Sequence, residues 1–271
     1  MTERAPHSDW ADAVAHLENA RQVTAFTGAG ISAESGIPTF RDKQGGFWGR
    51  FSAEELASPE GFRRDKALVW GWYTWRRKML MLAEPNTGHL ALATLASRYN
   101  AFTLITQNVD NLHERAGSHP VIHLHGQLNQ NRCFACHAPQ GFLKDDLDEI
   151  NGVDLAQAAR GSPPKIMPST CLQCGGDLRP DVTWFGECLP ESAWAAAEGA
   201  VREADVILCI GTSGIVYPAA RLPETGRNAG ATVIQINPNE TALDDVAHIN
   251  LRGSASEILP AIVLALSGKL G

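Results

Sequence analysis

Residues 28–42 read GAGISAESGIPTFRD, and the chain is organised around them. The preceding run Val23-Thr24-Ala25-Phe26-Thr27 is β-branched and aromatic, so it reads as a buried strand that opens straight into glycines. Gly28, Gly30 and Ala33 fill the three small positions of the dinucleotide fingerprint. The first permits a tight turn, and the second lets backbone N–H groups approach a pyrophosphate. Pro38 restricts Ile37 to extended geometry, so no long helix simply continues from the turn. Phe40, Arg41 and Asp42 therefore fall on a loop placed to cover a ligand. An ordinary dehydrogenase carries an acidic residue about 20 residues further on, for the adenosine ribose. Gly45-Gly46-Phe47-Trp48-Gly49 occupies that distance here, with neither strand nor acid. Nucleotide binding is retained as an expectation, and hydride transfer loses ground.

The chain has 271 residues, 44% hydrophobic and 20% charged, a composition suited to one large core and a smaller appended module. A net charge of -7 argues against general nucleic-acid binding, so a partner is expected to be small or peptide-like. The first ten residues lack a basic region followed by an apolar run, and no segment reaches membrane-spanning length. A cytoplasmic protein without a membrane partner is expected. In a reducing compartment its six cysteines read as metal ligands or buried thiols rather than disulfides.

Strand and helix alternate along the rest. Ser8 is placed to cap a helix carrying Trp10, Val14 and Leu17, ahead of a strand over 22–27. One aromatic helix is predicted between 59 and 84, with Leu68, Trp72, Trp75 and Met79 at helical intervals and Pro85 closing it. Thr87 starts another helix, and strands follow at 102–106 and 121–124. Apolar runs at 182–185, 206–210 and 233–236 read as further strands, separated by helical segments at 191–203 and 218–230. A strand near Ile249 and a helix over 256–266 complete the pattern. The expected fold is α/β, a doubly wound Rossmann-like parallel sheet with a smaller inserted zinc ribbon and helical module. Residues 1–48, 86–130 and 180–271 are assigned to the nucleotide-binding domain, 49–85 to the helical module and 131–179 to the metal module.

Four features carry chemistry. Cys133-x2-Cys136 and Cys171-x2-Cys174, with 34 residues between the pairs, supply four thiolates for a tetrahedral zinc site with no open position, hence a structural one. That spacing leaves part of 145–165 as a loop. Cys209 reads as strand core. Thr106-Gln107-Asn108-Val109-Asp110 begins where a strand stops, at the carboxyl edge where open α/β sheets bind ligands; turn formation and helix capping explain the same residues. His125 ends the next strand at the same edge, with His123 on its face, and imidazole suits proton transfer near neutral pH. Gly211-Thr212-Ser213 and Asn237-Pro238-Asn239 follow two further strands, so four loops are expected around one crevice.

In combination the chain resembles the sirtuins, NAD-dependent protein lysine deacylases, over nearly its whole length. The resemblance rests on residues 28–42, TQNVDNLHERAG from Thr106, His125-Gly126, the four cysteines, Phe185-Gly186-Glu187, Gly211-Thr212-Ser213 and Ile236-Asn237. It implies NAD binding by Gly28, Ala29, Gly30, Phe40, Arg41, Phe47, Gln107, Asn108, Val109, Asp110, Gly211, Thr212, Ser213, Asn237, Pro238, Asn239 and Ala255. It also implies that His125 is the catalytic base, with Asn108 beside it. In that family an acyl-lysine oxygen attacks C1′ of the nicotinamide ribose, nicotinamide leaves, and the histidine activates a ribose hydroxyl against the acyl carbon. The products are free lysine, nicotinamide and O-acyl-ADP-ribose.

The implied partners are acyl-lysine-bearing proteins or peptides. A substrate backbone would pair as an added strand beside Gly186, Glu187 and Val216, which gives affinity through main-chain bonds and modest sequence preference. Tyr73 and Arg76, at i and i+3 on the aromatic helix, resemble the Tyr-x-x-Arg pair of the subclass that removes succinyl and malonyl groups. The plainer reading packs Tyr73 with Trp72 and Trp75 and leaves Arg76, Arg77 and Lys78 on a solvated face. Trp184 and Gly214 depart from the family's usual residues and are expected to reshape the peptide groove. Protein ADP-ribosyl transfer and a non-catalytic NAD-sensing zinc module are the competing functions.

Overall fold

The computed structural model describes residues 6–37, 53–156 and 165–268. Among these residues eight strands form two sheets: β1 (Gln22–Thr27), β2 (Ala101–Thr106), β3 (Val121–His123), β4 (Gly126–Cys133), β5 (Leu178–Val182), β6 (Val206–Ile210), β7 (Thr232–Ile236) and β8 (Ile249–Leu251). Six of them make one parallel sheet in the order β3-β2-β1-β6-β7-β8. The chain builds outward from β1 in one direction, then returns to β6 and builds in the other. The connections therefore diverge between β1 and β6, where ligands bind in folds of this kind.

Both faces of this sheet are covered, so its central strands are apolar throughout rather than alternating. Val23, Ala25, Leu208 and Ile210 pack with Ala13 and Leu17 of the first helix, Leu92 and Leu95 of the helix Thr87–Ala96, and Leu259 and Ile262 of the last helix, Ala255–Leu266. Phe26, Ile207, Cys209 and Val233 pack on the other face with Ala197, Val201 and Leu222. Neighbouring strand residues thus serve opposite cores, as the two-residue period of a strand requires. Among the described residues no helix is long and apolar enough to cross a membrane.

β4 and β5 pair antiparallel in a separate two-stranded sheet. Phe62, Val69, Trp72, Tyr73, Leu128, Val182 and Trp184 form the core beneath it. The run expected as a strand at 182–185 is therefore corrected. Its neighbours 178–182 belong to this small sheet and not to the parallel one, and Trp184 turns into the aromatic core. Because β4 spans residues 126–133 and β5 spans 178–182, the small sheet also crosses the expected module limits at 130 and 180.

The single helix expected over 59–84 is two, Pro59–Arg64 and Lys66–Leu82. Asp65, at φ -150 and ψ 81, leaves the helical region, and its carboxylate accepts from the Leu68 amide at 3.0 Å. One residue ends the first helix and caps the second, a change of direction that side-chain periodicity does not reveal. The first helix runs over Pro6–Asn19, so Ser8, expected at its start, lies within it. A helix, Lys144–Gly152, occupies the start of the 145–165 stretch, of which only a part is expected as loop.

At the switch point, the loops after β1 and β6 are stitched to each other and to the ends of β6 and β7 by main chain. The Gly28 amide donates to Ile210 O at 2.9 Å, Gly30 to Gly211 O at 2.8 Å and Gly211 to Ile236 O at 3.0 Å. A Cβ on Gly30 would lie 2.7 Å from the Gly211 Cα, and one on Gly211, at φ +59, would lie 2.5 Å from the Ile31 nitrogen. Gly36, also at positive φ, meets nothing within 4 Å. Gly36→Ala should therefore cost only the left-handed strain, about 1–2 kcal/mol. Gly211→Ala adds a backbone collision worth roughly 1–3 kcal/mol more. Equal midpoints for the two variants in urea denaturation would contradict the close-packed crossing.

Candidate functional site

Ser32, on the short turn after the glycines, is the hub of the buried part of the crevice and is 1% exposed. Its hydroxyl donates to Asp110 Oδ2 at 3.0 Å and accepts from Asn108 Nδ2 at 3.2 Å. Asn108 Nδ2 also reaches Gly28 O at 3.2 Å, and the Asn108 amide donates to Thr106 Oγ1 at 3.0 Å. Asp110 Oδ1 accepts from the Leu112 amide at 3.1 Å, an Asx turn ahead of the short helix Leu112–Arg115, whose N-cap Asn111 makes no side-chain cap, so the turn reading of this segment also holds. Burial raises the Asp110 carboxyl above its usual range, against the Leu112 and Ser32 bonds that favour the anion.

Behind Ser32 lie two histidines that the sequence reading passed over. Asn86 caps the helix Thr87–Ala96 and its amide donates to His89 Nδ1 at 3.3 Å, so the His89 proton sits on Nε2, 3.5 Å from Ser32 Oγ. The His113 ring packs edge-on to His89 at 5.0 Å, with Nε2 3.0 Å from Thr27 Oγ1. Burial lowers His89 to about 4 and His113 to about 3, the latter helped by the charges of His89 and His123. Asn86 three residues before His89 is a capping pattern visible in the sequence. What it positions is visible only in three dimensions.

His125 follows β3, and its Nδ1 lies 2.8 Å from Gln107 O. A carbonyl can only accept, so the ring proton is on Nδ1 and the Nε2 lone pair is left for chemistry. Burial lowers the imidazole's pKa, against the opposing Gln107 bond, and so keeps the ring neutral. Gln107 Nε2 donates to Thr212 Oγ1 at 2.8 Å, which joins the loop after β2 to the loop after β6. His123 is used differently: Nε2 is 2.6 Å from Glu114 Oε1 and Nδ1 is 3.3 Å from Asn108 O.

The remaining candidates fall into three places. Asn237 Nδ2 donates to Thr212 O at 3.1 Å and Asn237 Oδ1 accepts from the Asn239 amide at 3.2 Å, so the loops after β6 and β7 also interlock around Ser213 and Pro238. Ala255 is the first residue of the last helix, behind the Ser254–Glu257 capping box. Ala29 and Val109 lie partly exposed on the first two loops. Phe40, Arg41 and Phe47 lie outside the described residues. Gly214, at φ +68, packs where a Cβ would stand 2.6 Å from Leu243 Cγ, so glycine here answers a backbone demand.

Tyr73 and Arg76 share one face of the helix Lys66–Leu82. The Arg76 guanidinium lies 4.9 Å from the Trp72 ring centre and 5.6 Å from that of Tyr73. Burial lowers the Arg76 pKa, while Tyr73 and Asp110 act to raise it. The plainer solvated-face reading fails at Arg77, which is 3% exposed and donates to Leu128 O at 2.8 Å and to Asn131 Oδ1. Glu187 is held inward by Arg179 and Arg132, and its Oε2 accepts from the Trp184 amide at 2.8 Å. Gly186 turns the chain at φ +85. Phe185, Ile215, Val216 and Tyr217 present apolar side chains to solvent.

The sulfur atoms of Cys133, Cys136, Cys171 and Cys174 all lie within 4.8 Å of one another. A tetrahedral zinc with bonds of about 2.3 Å needs sulfurs about 3.8 Å apart. The Cys133–Cys174 and Cys136–Cys171 separations are 3.5 and 3.8 Å. Amides of Ala135 and Cys136 point at the Cys133 sulfur, which favours its thiolate, and the Gln173 amide points at the Cys171 sulfur. The four cysteines are positioned to bind one zinc ion.

A neutral imidazole at the switch point of a parallel sheet, ringed by interlocked glycine, asparagine and threonine loops and set beside a four-thiolate ribbon, defines a nucleotide-binding α/β enzyme with a structural metal module. A family profile described as the Sir2 family matches residues 28–218. The chain is 52% identical over 253 residues to the NAD-dependent protein deacylase of Methylococcus capsulatus, covering 93% of this chain and 95% of that protein. It is 47% identical to NAD-dependent protein deacylase 1 of Pseudomonas aeruginosa, covering 91% and 95%. Among solved structures, a Sir2 homolog–NAD complex superposes with a TM-score of 0.84 at 43% identity, over 96% of this chain and 95% of that one. A Sir2–p53 peptide–NAD+ complex superposes with a TM-score of 0.79 at 29% identity, over 95% and 98%. This chain belongs to the Sir2 family.

The buried histidines make stability depend on pH. In the unfolded chain they bind protons near pH 6.5, whereas folded His89 and His113 resist protonation until about 4 and 3. The unfolded state binds more protons in between, so stability falls as the pH drops below about 6.5, by up to about 1.4 kcal/mol per unit for each group. Urea unfolding between pH 7.5 and 5 should show this decline, and His113→Gln should make it shallower whatever its effect at pH 7.5. An unchanged slope would contradict the neutral-pair assignment.

Proposed function

We propose that the chain is an NAD-dependent protein lysine deacylase that prefers succinyl- and malonyl-lysine, with acetyl-lysine a weaker substrate. The reading of the reaction is supported by the deacylase relatives and by the His125 geometry. The acyl preference rests on one observation: Arg76 and Tyr73 stand together on a half-buried helix face, a cation beside a phenol. Arginine grips a terminal carboxylate through paired N–H donors, and the phenol adds a third.

Bound NAD supplies the electrophilic sugar carbon for the acyl oxygen and the hydroxyl that finally carries the acyl group, and one water is consumed as the lysine amine departs, so the products are free lysine, nicotinamide and O-acyl-ADP-ribose. The chain's own residues divide the remaining tasks. Backbone at Gly28, Ala29, Gly30 and Gly211–Ser213 cradles phosphate, and Asn237–Asn239 with Ala255 holds the adenosine side. Phe40, Arg41 and Phe47, outside the described residues, are assigned to NAD binding from the family resemblance alone. Ser32, Asn108 and Asp110 present polar groups to the nicotinamide end, with Gln107 and Val109 beside them. His125 Nε2 takes the ribose hydroxyl proton while Gln107 O holds the opposite nitrogen. Phe185–Gly186–Glu187 and Val216 receive the peptide backbone, so lysines in extended segments of proteins are the substrates.

A panel of acyl-lysine peptides incubated with NAD tests both levels. Nicotinamide release with loss of the acyl mass supports deacylation, whereas a gain of ADP-ribose on protein would favour ADP-ribosyl transfer. Arg76→Met should lower kcat/KM for the succinyl peptide about 10- to 150-fold, the equivalent of about 1.5–3 kcal/mol for a hydrogen-bonded charge. An unchanged succinyl rate would sink the acidic-acyl assignment. Because burial lowers the His125 pKa, the acid limb of kcat/KM should lie below the ordinary histidine value of about 6.5. His125→Tyr should abolish turnover with zinc content intact.

A further inference from the structure

Trp184 is 1% exposed and lies where the chain leaves β5 for the Phe185–Glu187 turn. Its indole Nε1 is 2.8 Å from the Tyr73 hydroxyl oxygen. An indole N–H can only donate, so Tyr73 accepts this bond and its single hydroxyl hydrogen must point elsewhere. Among the described residues no hydrogen bond takes that hydrogen. Tyr73 thereby keeps a donor for a further partner, and the Arg76 guanidinium lies 5.6 Å from its ring centre. Burial raises the phenol's pKa, which keeps the proton on the oxygen.

The tryptophan is itself held rigidly. The Arg179 guanidinium lies 3.3 Å from its ring centre, and Arg179 is clamped by Glu187 and by Val182 O at 2.7 Å. Trp184 and Glu187 exchange two further bonds, Trp184 N to Glu187 Oε2 at 2.8 Å and Glu187 N to Trp184 O at 3.0 Å. Phe62 and Phe134 pack against the ring at 5.5 and 6.2 Å. A side chain fixed on every side and offering one donor to one hydroxyl acts as a template for that hydroxyl's orientation. The Trp184 side chain faces the helix that carries Tyr73.

We propose that Trp184 is a specificity-determining positioning residue, whose indole N–H commits the Tyr73 hydroxyl to donate to the terminal carboxylate of an acidic acyl-lysine held by Arg76. The Glu187–Arg179 pair acts one step further back, by holding the indole. This inference rests on the acidic-acyl reading above. A neutral acyl chain presents no terminal acceptor, so the template matters for discrimination and not for the acyl-transfer step.

The test compares wild type, Trp184→Phe, Tyr73→Phe and the double variant on succinyl- and acetyl-lysine peptides, with zinc content and thermal midpoint recorded. Trp184→Phe removes the donor and keeps an aromatic ring. The succinyl-to-acetyl ratio of kcat/KM should fall about fivefold to tenfold, chiefly through the succinyl KM. The double variant should be no worse than Tyr73→Phe alone, since the tryptophan acts through that hydroxyl. An unchanged ratio, an equal loss on both substrates, or additive effects would overturn the proposal while leaving the acidic-acyl reading in place. A wild type that does not prefer succinyl-lysine would overturn both. Should Trp184→Phe not fold, Tyr73→Phe decides by nitrogen-15 spectroscopy: the Trp184 indole proton must shift and exchange faster with solvent, and an unmoved signal overturns the assignment.

Discussion

The contact of bare main chain between Gly30 and Gly211 is the constraint from which the site follows. Three amide-to-carbonyl bonds tie the loops after β1 and β6 to each other and to the ends of β6 and β7, and that approach leaves no room for a Cβ on either glycine. Side chains in those positions would collide with the facing main chain and push the loops apart. Phosphate recognition by backbone N–H groups depends on the same bareness, so the residues that let the loops meet are those that let a nucleotide approach. Gln107 and Asn237 then fasten the surface with side-chain bonds to Thr212.

Around that surface, burial is used to set protonation. His125, His89 and His113 are all pushed toward the neutral form, while the Asp110 carboxyl is pushed up, also by burial. The groups differ in what they can do with neutrality. His125 has one nitrogen occupied by a carbonyl and one free, the arrangement of a general base. His89 spends both nitrogens on Asn86 and Ser32, so it supports the hub and has no proton to trade. Desolvation alone therefore does not mark the base; the partner of each nitrogen does.

The small unit is coupled to the large one through polar bonds rather than through apolar packing alone. Thr183 N donates to His125 O at 2.8 Å and Leu128 N to Val109 O at 2.8 Å, so β4 and β5 are anchored beside the catalytic edge. Arg77 carries the coupling onward, bonding Leu128 O and Asn131 next to the buried Asp146. The cysteine cluster sits at the far end of the same strands, with Cys133 closing β4. One zinc ion held there would brace the platform on which the Tyr73 and Arg76 helix rests.

Local chemistry made much of this legible in the residues alone. Glycine spacing after an apolar strand, paired cysteines, and polar residues at successive strand ends are short-range signals, because each reflects a requirement met within a few bonds. Strand positions 22–27, 206–210 and 249 onward and the helix over 191–203 followed from the same periodicity. Tertiary structure decided what depends on distant partners. Asp65 splits the aromatic helix by capping its second half, 178–182 joins an antiparallel pair instead of the main sheet, and Arg77 is buried by β4. Ser32 became the hub because Asn108, Asp110 and His89 arrive from three other segments. Trp184 gained its role only where its indole meets a hydroxyl 111 residues away. Sequence determines what each side chain is able to donate, accept or bury, but a hydrogen bond exists only where the fold delivers the second atom, and that delivery is set by packing of the whole chain.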